Sequence, residues 1–484
     1  MEYMEAKNAS DLIGKEISVN DFMLLKNVTI ADGVENIYDF AFYFHHSITS
    51  IVIPNTVKRI GENAFQDCPL TSIVIPKSVE SIGDHAFYSC RNLSKVIIQG
   101  DVKSISDYAF AFCENLTEVI IQGNVKSIGK NAFFNCGKLS TITLPNSITN
   151  IEDGAFHECR RLSSVNIPTG MDKIGMRAFS RCGITSAEIP EGVITIDDWA
   201  FEDCQKLSSI RIPCSVQQIS ETAFDYCKGV KTIVVSQQNK VFDSRDNCNA
   251  IVRSKDNTII YVCRNSTIPN GIKKIDSHAC RHCMGMRSIR IPQSFGNITL
   301  NTFSFIGEIE SIVVDEKHKK YDSRGYCNAI INTNNNTLIM GCNKSIIPPS
   351  VETIGKQAFS NCNNINSISI PDSVTMIEKF AFSGCDSLSS IVIPGSVTRI
   401  EEKAFFGCSS LKTVVINDGV KTIGSSIFFR CSNLESITLP NSIEAIDVSF
   451  LVPRSTKVKI IIPNGSKEKF KALLPAYKRQ FIEL

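Results

Sequence analysis

A chain of 484 residues with 51 Lys and Arg against 49 Asp and Glu carries a net charge of +2, with the two signs interspersed. That balance sets up no field toward nucleic acid or an anionic membrane surface, so neither partner is expected. Apolar runs such as Lys459-Ile460-Ile461-Ile462-Pro463 fall far short of the roughly 18 residues that span a bilayer, so no membrane insertion is expected.

The first twenty residues include Glu2, Glu5, Asp11 and Glu16 and lack a basic start followed by an apolar stretch, so no secretory leader is legible. The expectation is a cytoplasmic protein if the chain starts as given, and a secreted or cell-surface one if a leader was removed. Residues 1–30 are read as an N-terminal cap.

From residue 31 to 463 a single phrase repeats: Ala-Phe, two residues, Cys, then an Ile-Pro some ten residues on. Ala64-Phe65 with Cys68, Ala86-Phe87 with Cys90 and Ala109-Phe110 with Cys113 are clear copies. The phenylalanine returns every 22 or 23 residues through Phe224, and again from Phe359 to Phe450. A period of that size predicts a solenoid of stacked coils, each covering the apolar side of its neighbour. It also predicts one elongated domain in place of the about three that length alone suggests.

One coil runs from Leu139 to Cys159. Ile142 and Leu144 share a face opposite Thr141 and Thr143, which predicts a strand ended by Pro145. Ile148 and Ile151 turn the chain back, and Gly or Asp before Ala155-Phe156 opens a short helical turn on which Phe156 and Cys159 share a face. Strands of successive coils should pair in parallel, about 4.8 Å apart. Thirteen of the nineteen cysteines hold one repeat position, so they read as small buried hydrophobes rather than as bridge partners.

Two segments, near 236–268 and 315–347, break the period and copy each other. Phe242-Asp243-Ser244-Arg245, continuing to Cys248-Asn249-Ala250-Ile251, aligns with Tyr321-Asp322-Ser323-Arg324 and Cys327-Asn328-Ala329-Ile330. Each insert is read as a β-hairpin that sets Cys248 opposite Cys263 and Cys327 opposite Cys342. Two readings of these pairs stand open: a cross-strand disulfide in each hairpin, favouring an oxidising compartment, or thiols packed on its inner face. The inserts themselves are open to a recognition role or to covering part of the sheet. Residues 464–484 place apolar residues at 470, 473, 474, 477 and 481, the spacing of a capping helix kinked near Pro475.

No H-E-x-x-H, G-x-S-x-G, P-loop or G-x-G-x-x-G occurs, so no catalytic residue and no cofactor is expected. His278, Cys280, His282 and Cys283 gather metal-donor types, but both cysteines hold inward repeat positions, and no metal is expected. His45-His46 reads as a solvated loop, and the acidic pairs Asp197-Asp198 and Glu401-Glu402 as helix-start residues. Trp199 is open to two readings, an exposed anchor or a filler between coils. The best candidate site is the sheet surface, where the outward residue of successive strands runs through Val52, Val74, Ile97 and Ile120, and later Asn166, Glu188 and Arg211. An apolar stripe beside a polar group suits a ligand; β-branched residues there also suit a strand with no ligand at all.

The repeated I-x-I-P, V-x-x-I-G and A-F-x-x-C together resemble the BspA-like, or Treponema pallidum-type, branch of leucine-rich repeat proteins over residues 25–463. The resemblance implies a curved right-handed β/α solenoid with a parallel sheet on its concave side and short helical turns on the other. It implies a non-enzymatic role as well: binding a protein or glycan ligand, host extracellular matrix or plasma proteins among them, as a surface adhesin. An intracellular scaffold or effector is the second reading.

Overall fold

The computed structural model describes residues 11, 19–280, 286–299, 302–303, 309–447 and 458–484. Contacts divide the chain into two compact units, Met1–Ser266 with His278–Cys283, and Thr267–Ser277 with Met284–Leu484. Each is a stack of repeated coils.

In the first unit the coil has three sides. On one, residues alternate outward and inward along Ser72–Ile75, Lys95–Ile98, Glu118–Ile121 and Thr141–Thr143, and these strands pair in parallel and in register. Ile73, Val96, Val119 and Ile142 point into the core, as the two-residue alternation of a strand dictates. On the second side, two-residue strands from Asn36–Ile37 to Asn150–Ile151 form a six-stranded parallel sheet.

The third side is the Ala-Phe turn. It is a pair of hydrogen-bonded turns, with Ala155 N 3.2 Å from Glu152 O and Cys159 N 3.1 Å from Phe156 O, where the sequence suggested a helical turn. The residue before Ala and the second after Phe are left-handed, for example Asn131 at φ 51° and Asn135 at φ 56°. A left-handed residue cannot extend a right-handed helix, and asparagine and glycine adopt that conformation at least cost.

The phenylalanines of this side form one ladder from Phe42 to Phe224, centroids 5.0–5.6 Å apart and nearly coplanar in tilt. Each cysteine thiol donates to the carbonyl of the preceding coil's phenylalanine: Cys90 to Phe65 at 3.0 Å, Cys136 to Phe110 at 3.2 Å. Cysteine suits the place because it is small and apolar yet carries a weak donor. Hydroxyls do the same beside the long strands, where Ser94 Oγ reaches Thr71 O (2.8 Å) and Thr117 Oγ1 reaches Ser94 O (3.0 Å).

A helix, Val19–Leu24, closes the start of this unit, with Phe22 buried against Phe42, ring centroids 6.1 Å apart. The remaining residues assigned to the N-terminal cap, 1–10 and 12–18, lie outside the described residues. His45 is fully buried, where a solvated loop was expected. It stands at the coil position that cysteine holds elsewhere, and its Nε2 donates to the Phe22 carbonyl. At the other end of the ladder Tyr261 meets Phe224, its hydroxyl 3.2 Å from the Phe224 carbonyl.

In the second unit the long strands Ser390–Ile393, Thr413–Ile416, Ser436–Thr438 and Lys459–Ile462 pair in parallel, and Phe359, Phe382, Phe405 and Phe428 repeat the ladder. Phe450 lies outside the described residues. The C-terminal segment departs from a kinked helix. A helix spans Lys467–Leu473, Pro475–Tyr477 is a 3-10 turn, and Phe481–Glu483 is a strand parallel to Lys459–Ile462. Pro475 lacks an N–H for the helix ladder, and the bare edge of Lys459–Ile462 offers the following residues main-chain partners instead.

The inserts are three-stranded antiparallel meanders: Phe242–Asp243, Ala250–Arg253 and Thr258–Val262 in the first unit, Tyr321–Asp322, Ile330–Asn332 and Thr337–Met340 in the second. Their shared Asp-Ser-Arg is structural. Arg245 Nε bonds Asp243 (2.7 Å) and its Nη1 bonds Asn257 (2.8 Å), and Arg324 repeats this with Asp322 (2.9 Å) and Asn336 (3.1 Å). Ile251, Val252, Ile330 and Ile331 are fully buried, and Thr337–Met340 pairs in parallel with the short strand Thr353–Ile354 of the next coil.

Candidate functional site

The outward column of the first unit begins with Val52 and Val74, 56% and 46% exposed, and continues through the half-buried Ile97 and Ile120. Val74, Ile97, Ile120 and Thr143 are direct register partners across four strands. Beside them Lys95 and Glu118, also register partners, form a 2.8 Å ion pair.

The polar half of the predicted site is organised differently. Asn166 is exposed, but its amide is engaged: Oδ1 accepts from Leu144 N (3.0 Å) and Nδ2 donates to Leu144 O (2.7 Å). Its coil has no strand on this side, its short strand Lys173–Ile174 lying on the second side, and the side chain supplies the two bonds that a strand's main chain would make. Glu188 and Arg211 sit side by side in another sheet, Ser186–Glu188 with Ser209–Ile212, joined by a 3.0 Å ion pair. Both side chains are more than 60% exposed, so the pair adds about 1 kcal/mol at most to stability.

Cys248, Cys263, Cys327 and Cys342 are free thiols. Cys263 Sγ donates to Asn249 O and Cys342 Sγ to Asn328 O, both at 3.3 Å, while Cys248 and Cys327 turn toward the carbonyls of Ala250 and Ala329. Each thiol of a pair therefore has its own acceptor. Trp199 is half-buried and left-handed at φ 55°, with the Arg177 guanidinium 4.6 Å above its ring.

Of the possible metal donors, His278 Nδ1 lies 3.2 Å from Glu221 and Cys280 is buried; His282 and Cys283 lie outside the described residues. The acidic residues before Ala-Phe serve the stack rather than a helix start. Asp107 Oδ1 accepts from Lys130 N (2.7 Å) and Asp153 Oδ1 from Met176 N (2.9 Å), each in the following coil. Lys173 reaches Asp197 at 2.5 Å. A cavity of about 470 Å³ in the second unit is lined by residues including Thr299, Phe303, Met340 and Gln357. Among the described residues, no helix is long and apolar enough to cross a membrane.

Sequence comparison adds to this geometry. The family described as BspA type leucine rich repeat region (6 copies) matches residues 15–140, 126–250, 260–338 and 337–452. The chain belongs to this family. Among solved structures it is similar to a leucine-rich cell surface protein of Faecalibacterium prausnitzii, with 26% identity over 85% of this chain and 87% of that one and a TM-score of 0.43. It is similar also to a leucine-rich repeat protein of Bacteroides ovatus (23%, 88% and 94%, TM-score 0.42) and to the pneumococcal vaccine antigen PcpA (17%, 95% and 90%, TM-score 0.30). Comparison with curated proteins finds no match.

In this BspA-type chain the sequence pattern locates the outward column of the sheet but not the aromatic residues of the turn side. Those residues hold no single repeat position: Tyr88 and Phe134 directly follow the repeat phenylalanine, whereas Phe112 stands two residues after it. Only stacking brings them into contact, as when Phe112 meets Phe134 at 4.9 Å. A signal was present in the Phe, Tyr or His residues that stand beside Ala-Phe in five of the first six coils, the turn at 61–67 having none.

Proposed function

We propose that this chain is a non-enzymatic binding protein that takes a protein or glycan ligand on the sheet face of its first unit, acting at the cell surface as an adhesin for host molecules. One observation carries the reading: the register-paired column through Val74, Ile97 and Ile120, extended by Val52, leaves aliphatic side chains in water on a surface whose strands the stack holds in register. Covering Val52 and Val74 recovers roughly 1 kcal/mol each, and the flanking Ser72, Lys95, Glu118 and Thr141 supply hydrogen-bonding and charged groups at the rim. Such a surface, an apolar core with a polar border, has the make-up of a recognition interface.

Ile97 and Ile120 are partly covered by their neighbours, so Val52→Lys with Val74→Lys is the cleaner perturbation. Native chain and double variant are titrated against immobilised fibronectin, fibrinogen and a glycan panel. Saturable binding that the variant loses while its circular dichroism stays native supports the reading. Binding that survives in the variant refutes the sheet face as the site. One observation favours a second reading, an intracellular scaffold: among the described residues all eighteen cysteines are free thiols, the state a reducing compartment maintains. Silence across the extracellular panel, with variant-sensitive capture of a cytoplasmic protein, selects it.

A further inference from the structure

The turn side of the first unit collects charge that the chain as a whole conceals. Its nine turns, residues 39–45, 61–67, 83–89, 106–112, 129–135, 152–158, 175–181, 197–203 and 220–226, hold fourteen Asp and Glu against three basic residues, Lys130, Arg177 and Arg181. The segments between those turns, from residue 46 to 219, hold thirteen basic and seven acidic residues. The turn side is thus −11 and the remainder of those coils +6, because a fixed period delivers each coil position to one side of the stack. In the second unit the equivalent turns, 355–361, 378–384, 401–407 and 424–430, hold three acidic and four basic residues, so the charge is a property of the first unit and not of the repeat.

An aromatic ribbon runs along the same side. His85 stacks on Tyr108 (4.9 Å, 5°), Tyr88 meets Phe112 edge-on (5.3 Å), Phe112 meets Phe134 edge-on (4.9 Å), and Phe134 stacks on His157 (5.2 Å, 7°). Phe112 holds a left-handed position, φ 59°, that costs a bulky side chain more than asparagine. Four consecutive coils contribute, and Lys130 is the one basic residue in their turns.

The side already shows what it attracts. Arg177 lies over the Trp199 ring at 4.6 Å. Arg181 donates to the buried Glu158 of the coil before (2.6 Å) and approaches Asp203 of the coil after (3.8 Å). These are a cation on an aromatic face and a guanidinium between carboxylates, both made within the chain by the one coil that carries arginines here.

We propose that the turn side of the first unit is a second interaction surface, which binds an arginine-rich segment of a partner protein. Guanidinium groups lie on the ribbon from Tyr88 to His157 and pair with carboxylates such as Asp84 and Asp107. The charge of the side selects a cationic partner and the rings select guanidinium over ammonium, since a planar cation stacks where a compact one stays hydrated.

The test titrates the full chain with fluorescein-labelled nona-arginine, nona-lysine and nona-glutamate peptides at low and physiological salt, read by anisotropy. The variant Asp67→Asn with Asp84→Asn and Asp107→Asn removes three charges. It keeps the oxygens with which Asp84 and Asp107 accept the next coil's N–H groups, at 3.2 and 2.7 Å, and asparagine tolerates the left-handed backbone of Asp67. Nona-arginine should bind tightest and nona-glutamate not at all, and the triple variant should bind nona-arginine about tenfold more weakly. Phe112→Asn, a substitution its backbone favours, should weaken nona-arginine about threefold and nona-lysine less. Val52→Lys with Val74→Lys should leave this binding unchanged, which separates it from the sheet face. Equal affinity of native chain and triple variant overturns the proposal, and so does nona-arginine binding that Phe112→Asn leaves intact.

Discussion

Replacing Gly341 by valine and Phe359 by cysteine, singly and together, probes how an insert seats the coil that follows it. A Cβ added to Gly341 would lie 2.0 Å from Cε1 of Phe359, so the ring fills the space a side chain needs. The first insert answers the same demand with other residues: Val262 stands where Gly341 does and Cys280 where Phe359 does. The backbone bond is kept in both, Val262 N to Ala279 O at 3.3 Å and Gly341 N to Ala358 O at 2.7 Å. Gly341→Val alone overpacks a ring that is fully buried and stacked 5.1 Å from Phe382, which costs about 1–3 kcal/mol. Phe359→Cys alone leaves a cavity and loses the stack, about 3 kcal/mol or more. In the double variant the valine occupies part of the space the ring vacates, so its loss should fall short of the sum by about 2 kcal/mol. Urea unfolding of the four chains by circular dichroism gives this coupling directly. Additivity to within about 0.5 kcal/mol would refute the complementarity between the two positions.

Two further outcomes follow from buried titratable groups. Burial holds the His45 imidazole below its ordinary value of 6.5, against the opposing pull of its bond to the Phe22 carbonyl. The unfolded chain therefore takes up the proton first: the contribution of His45 is complete above about pH 6.5 and is lost as pH falls through and below that value. His45→Cys, which restores the residue found in other coils, should flatten the fall in melting temperature between about pH 7 and 5, and an unchanged slope would count against it. Burial pushes the thiols of Cys68 and Cys362 up to about 12. Among the described cysteines only Cys214 is not buried, its thiol 3.2 Å from Glu191. Reaction with a disulfide reagent should thus show one fast thiol from this set and release the others only on denaturation. Rapid labelling of the Ala-Phe-x-x-Cys column in native buffer would mean that the coils open far more readily than their packing implies.

What the amino-acid order determined by itself was whatever recurs. The strand faces, the buried phenylalanine and cysteine columns and the solenoid follow from a 22- or 23-residue period, because each coil meets nearly the same chemistry above and below it. Ile142 in and Thr143 out could be read from one coil. Tertiary structure decided what depends on which residue lies one coil away. Asn166 looked like a ligand-facing amide until the main chain of Leu144 came within reach. His45 looked solvated until Phe22 covered it, and Phe481 looked helical until Lys459–Ile462 offered an unpaired edge. The acidic turns are invisible in a net charge of +2, since sorting charge by face requires the coils to be wound. A neighbour across the stack is 22 or 23 residues distant in the chain, and an exception to the repeat, at a cap, an insert or a polar substitution, acquires its partner only when that neighbour is in place.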